Sequence, residues 1–221
     1  MKERYFSPES IAAKAQEFIQ KVLPYRNRQS PAFSPSNSAL LVLDMQDYFL
    51  DETSHAFVPS SRAILPNIKA LIEAYSAAGL PVVFTRHANT ADEAGVMARW
   101  WRDLLTENNP LGAISSELDV SAGVVILKSQ YDAFHNTHLE EHLREKGVTQ
   151  VVVCGVMTHL CCETTARAAF TRGFEVYFAV DGTATYNETF HLASLTNLSH
   201  GFAVPVLCGE ILAELGGKHE G

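Results

Sequence analysis

Two cysteines stand side by side in "CGVMTHLCCETT" (residues 154–165), between the apolar run "TQVVVC" and the helical pattern "ARAAFTRG". A thiol becomes a nucleophile when a nearby base takes its proton and a local positive field stabilises the thiolate. Residues of both kinds end apolar runs elsewhere: Asp44 closes "ALLVLD" and Lys128 closes "GVVILK". Each has a plain structural reading. A terminal Asp caps a turn, a terminal Lys reaches solvent, and a free Cys is by default a small buried residue. Together they form the set that thiol chemistry requires.

Helix geometry separates the two cysteines. With Thr158 as cap, Cys161 falls in the first turn, beside unpaired N–H groups and the positive end of the helix dipole. That field favours thiolate and supplies donors for an oxyanion. Cys162 lies about 100° further round and reads as packing. Cys154, inside a run, and Cys208, at the end of one, read as core.

Six short β-branched runs must position these groups: residues 39–44, 81–86, 123–128, 150–155, 174–181 and 203–208. Their continuous hydrophobicity implies burial on both faces, as in a parallel sheet. Helical patterns at 61–79, 93–106, 135–147, 159–172 and 187–200 alternate with them, and several end at a glycine, as in "YSAAGLP", "LREKGVT" and "FTRGFE". The alternation predicts a doubly wound, three-layer α/β/α sandwich on a mainly parallel sheet of about six strands. Such sheets bind ligands beyond the carboxyl ends of their strands. Asp44, Lys128 and the cysteine pair all belong to that rim, as does Asp181, which closes "FEVYFAVD".

The first residues, "MKERYFSPESIAAKAQEFIQKVLP", read as an amphipathic helix with Ser7 as N-cap and Pro8 at the first position. The Pro/Ser/Asn-rich stretch "RNRQSPAFSPSNS" follows. The chain thus divides into a helix and linker (1–37) and one domain (38–221).

The 221 residues suffice for one domain with its own core. A net charge of −8 argues against nucleic acid or an anionic membrane as partner, and no run approaches the ~20 apolar residues of a membrane span. Four cysteines without a disulfide pattern point to a reduced, cytoplasmic setting. No G-x-G-x-x-G follows any strand, which removes dinucleotide binding.

The blocks "LLVLDMQDYF" and "VILKSQYDAFHNTHLEEHLREKGVTQVVVCGVMTHLCCETTARAAFTRGFEVYFAVDGTAT", with their spacing, resemble the isochorismatase-like cysteine hydrolases. That superfamily includes nicotinamidases, N-carbamoylsarcosine and ureidoacrylate amidohydrolases, and isochorismatase itself. The resemblance spans roughly residues 39–208. It implies a catalytic triad of Asp44, Lys128 and Cys161, a cis peptide at Val156–Met157, and an oxyanion hole from the Met157 and Cys161 amides. The expected activity is hydrolysis of a C–N bond in a small amide or ureide through a Cys161 thioester. Alternatives are an isochorismatase-type vinyl ether hydrolase and a non-catalytic binding member. True isochorismatase carries glycine where Cys161 stands. The arginine that often follows the family lysine by two positions is Gln130 here, a departure that bears on anionic substrates. By resemblance the chain forms dimers or tetramers, with the N-terminal helix packing on a neighbour.

Nicotinamidases of the superfamily hold a metal through an Asp and histidines. Asp51, His55 and His87 do not reproduce that spacing, so no metal or other cofactor is expected. His135, His138 and His142 share one helix face and read as solvated or interfacial. Candidate substrate-binding residues are Gln46, Phe49, Tyr131, Phe134 and His159, with Trp100 and Trp101 as a lid or subunit contact.

Overall fold

The computed structural model describes residues 1–26, 32–90 and 92–216, so residues 27–31 of the expected linker lie outside it. The six apolar runs form six strands: β1 (Ser38–Leu43), β2 (Val82–His87), β3 (Val124–Lys128), β4 (Gln150–Val156), β5 (Glu175–Ala184) and β6 (Val204–Val206). They pair in parallel in the order β3-β2-β1-β4-β5-β6. The order reverses between β1 and β4, so the connections leaving these two neighbours diverge and open a crevice at their carboxyl ends. Every residue of β1 and β4 is buried, as a sheet covered on both faces requires. The edge strand β3 exposes Val124, Val125 and Leu127.

The helices are α1 (Ile11–Val22), α2 (Asp47–Leu50), α3 (Ser61–Ala77), α4 (Met97–Trp100), α5 (Leu139–Glu145), α6 (Glu163–Thr171), α7 (Glu188–Gly201) and α8 (Cys208–Gly216). A π-helical turn, Thr158–Cys162, runs directly into α6. α3 and α8 pack on each other and on β5, while α1, α6 and α7 form a second group against β5 and β6.

Three expected elements differ. The helix at 93–106 shrinks to α4, because the chain beyond it pairs laterally: Asn89 N donates to Leu105 O at 2.6 Å, and Asn89 bridges Thr106. The helix at 135–147 begins only at Leu139, since local turns occupy the preceding residues, with Thr137 Oγ1 donating to Ala133 O at 2.6 Å. The N-terminal helix starts at Ile11 behind Ser10, not at Ser7 and Pro8, because Ser7 O is used in a turn by the amides of Ser10 and Ile11 (3.1 and 2.9 Å).

That helix also packs where the sequence did not place it. Ile11, Ala15, Phe18 and Val22, one stripe at helical spacing, are buried against β5 and α7 of the same chain. Its apolar face is therefore not left for a neighbouring subunit. α8 was not anticipated, and Asp181 does not close its strand, since β5 continues to Ala184; its Oδ1 accepts from Cys208 N at 2.7 Å and so caps the start of α8.

Candidate active site

The crevice takes its shape from the way β1 and β4 end. β1 stops at Leu43, and Asp44 turns the chain with φ +51°, a conformation Asp tolerates better than most side chains. β4 carries a register shift between Val153 and Gly155. Gly155 has φ +114°, and a Cβ there would lie 2.1 Å from Leu43 O, so only glycine allows the two backbones to approach. The Val156–Met157 peptide is cis. The π-helical turn follows, its Met157 carbonyl accepting from the amides of Leu160 (3.0 Å) and Cys162 (3.2 Å). π-turns of this kind recur at functional sites because they redirect one side chain. Here Cys161 faces the crevice, whereas Cys162 is in the core.

Asp44, Lys128 and Cys161 meet in space. Lys128 Nζ lies 2.7 Å from Asp44 Oδ2, both side chains fully buried, and 3.4 Å from Cys161 Sγ. The ammonium also donates to Gln130 O at 2.9 Å. The other carboxylate oxygen, Oδ1, accepts from Thr85 Oγ1 at 2.6 Å. Strand register brings in a further residue: His87 stands beside Lys128 across β2 and β3. Its Nε2 meets Asn89 Oδ1 at 2.9 Å, which fixes the proton on Nε2 and leaves Nδ1 to face the ammonium at 3.5 Å.

Burial favours the neutral carboxyl of Asp44, but the Lys128 ammonium and the Cys161 thiol outweigh it and hold the group below its ordinary value. Burial likewise opposes the Lys128 ammonium, yet Asp44 and Cys161 carry it above the usual lysine value. For Cys161, burial and the Asp44 carboxylate push the thiol up, and Lys128 offsets only part of this. His87 is pulled down by burial and by Lys128, so it is neutral. The resting site is an ion pair beside a protonated thiol.

A cleft of about 120 Å³ opens in front of the sulfur. Its walls include Phe49, His87, Trp101, Tyr131, Met157 and Tyr186. Of the five side chains expected to bind substrate, Phe49 and Tyr131 line it, and Trp101 Nε1 donates to Tyr131 Oη at 2.6 Å. The other three are placed differently. Gln46 is fully buried, its amide donating to His87 O and Gly112 O (3.0 and 2.7 Å) and accepting from His87 N (2.8 Å). Three backbone bonds consume it. Phe134 stacks on Phe174 in the core. His159 bonds Thr185 Oγ1 at 2.5 Å and stacks on Phe190, outside the cleft lining. Trp101 belongs to the cleft, while Trp100 is 77% exposed.

Sequence reasoning missed Thr85, Asn89 and the role of His87. The signal was the polar end of "PVVFTRHAN": a strand beside the one ending at Asp44 must end on the same rim. The residues present do not fit a metal of the nicotinamidase kind. Lys128 and Asn89 engage both nitrogens of His87, Asp51 Oδ1 accepts from Thr53, and His55 turns to Tyr48 and Asp103. Among the described residues, no three His, Cys, Asp or Glu side chains converge on one point.

A parallel sheet with a carboxylate, an ammonium and a thiol at its switch point defines a class, and the sequence belongs to it. The isochorismatase domain family matches residues 38–208, and the chain is a member of that family of hydrolases. It is 39% identical over 186 residues to Nicotinamidase 3 of Arabidopsis thaliana, covering 82% of this chain and 90% of that one. With Enterobactin synthase component B of Escherichia coli it shares 30% identity over 85% of its length but only 66% of the relative's. A solved cysteine hydrolase from Pseudomonas syringae superposes with TM-score 0.79 at 28% identity, over 83% of this chain and 94% of that one.

Proposed function

We propose that the protein hydrolyses a C–N bond of a small amide through a covalent Cys161 thioester. The observation that carries this is the buried Asp44–Lys128 pair in contact with Cys161, which lines a cleft. Because the resting thiol is protonated and Asp44 is ionised, the proton moves from Cys161 to Asp44 as the C–S bond forms, not before. Lys128 stabilises the developing thiolate, and the Met157 and Cys161 amides donate hydrogen bonds to the oxyanion. The C–N bond then breaks, and the leaving nitrogen takes the proton from Asp44. Asp44 next removes a proton from water, which attacks the thioester, and the acid departs as the thiol re-forms.

The likeness to Nicotinamidase 3 and the aromatic walls (Phe49, Trp101, Tyr131) support a primary amide on a flat ring as the first substrate to try. A panel of nicotinamide, ureidoacrylate-like ureides, carbamoylated amines and isochorismate decides among classes. Ammonia release with a trapped Cys161 acyl-enzyme is expected, and Cys161→Ala is expected to lower turnover by at least ~10³-fold. Wild-type turnover in Cys161→Ala rules the scheme out, and isochorismate cleavage by that variant favours vinyl ether chemistry instead.

A further inference from the structure

The first six residues bridge the two sides of the cleft. On one side, Lys2 Nζ donates to His55 O, and Ser60 Oγ accepts from the amides of Tyr5 and Phe6, each at 3.1 Å. On the other, Lys2 Nζ stands 4.4 Å from the centre of the Tyr186 ring, and Glu3 N donates to Tyr186 O at 2.8 Å. His55 and Tyr186 both line the cleft. One surface lysine thus holds a piece of each wall.

Tyr5 reaches further in. Its hydroxyl accepts from Thr185 N at 3.0 Å and meets His191 Nδ1 at 2.9 Å. Thr158 Oγ1 reaches the same Nδ1 at 3.0 Å. Thr158 opens the turn that carries Cys161. His191 is fully buried, and burial pushes it down to about 3, so the imidazole joins the two hydroxyls as a neutral link. The N-terminal segment and the nucleophile's own turn therefore meet at one buried imidazole nitrogen.

We propose that residues 2–6 are a strap belonging to the active site, in which Lys2 sets the outer wall that receives substrate and Tyr5 positions the turn bearing Cys161. The proposal rests on the reading of Cys161 as the nucleophile. Both are positioning residues, because neither side chain lines the cleft. A purely structural strap changes stability alone; a positioning strap changes the reactivity of one sulfur.

The test uses the full chain with Lys2→Ala, Tyr5→Phe and, as a control for stability, Val22→Ala in the buried face of α1. The rate of Cys161 alkylation by iodoacetamide, located by mass spectrometry well below the unfolding transition, reads the turn without any substrate. Tyr5→Phe is expected to change that rate about fivefold, the worth of one lost hydrogen bond, while Val22→Ala matches the wild type. On whichever amide the wild type hydrolyses, Lys2→Ala should raise KM at constant kcat, and Tyr5→Phe should lower kcat at constant KM. Wild-type values for either variant overturn the role given to that residue. Should the wild type hydrolyse no amide, the catalytic reading falls, and the alkylation rates still decide on Tyr5. Lys2 lies at the surface, so Lys2→Ala carries the wall arm even if Tyr5→Phe does not fold.

Discussion

At the scale of single residues, the site rests on a buried ion pair, and such pairs behave unlike surface ones. Removing one partner leaves an uncompensated charge in a low-dielectric interior, at a cost of ~3–5 kcal/mol; replacing both with apolar groups costs far less. Asp44→Asn and Lys128→Met are therefore each expected to lower the urea midpoint sharply, and the double variant to recover most of the loss while remaining inactive. The pair also sets a pH window. Asp44 is depressed on folding, so its contribution is complete above the ordinary value of 3.8 and is lost as pH falls below it. Lys128 is raised, so its contribution is complete below the ordinary value of 10.5 and is lost as pH climbs above it. The stability difference between wild type and double variant should be level between those limits and shrink beyond both. A difference that varied steadily across neutral pH would contradict the assignment.

At the scale of elements, the decisive feature is where β4 meets β1. The register shift, the positive φ of Gly155 and the π-helical turn lie within a few residues of each other, and together they bring Cys161 to the rim while Cys162 faces the core. Gly155→Ala forces a Cβ against the Leu43 carbonyl and a side chain into a left-handed backbone. We expect a loss of about 3 kcal/mol or more, visible in thermal unfolding. Because Leu43 precedes Asp44, the surviving folded fraction should also turn over more slowly. An alanine variant with wild-type stability and rate would show that the close approach is dispensable.

On the scale of the whole molecule, α1 is joined to the domain that follows it. Phe18 is fully buried and shares an aromatic cluster with Tyr5, Phe6 and His191. Phe18→Ala is expected to cost ~3–5 kcal/mol, with far-UV circular dichroism and fluorescence following a single transition. Two separated transitions would mean that residues 1–22 unfold as their own unit.

The six strands, the layers they build and the three residues at the rim were legible in the chain itself, whereas the order in which the strands pair was not. Continuous β-branched runs, helical spacing between them and glycines after the helices are local properties, and a parallel sheet leaves few other ways to bury them. Only the tertiary structure decided the rest. It spent Gln46 on three backbone carbonyls and amides, sent Phe134 into the core, paired His87 with Lys128 across a strand, and folded the N-terminal helix onto its own domain. Those outcomes depend on which groups far apart in sequence become neighbours, and a buried polar group takes whichever partner that packing supplies.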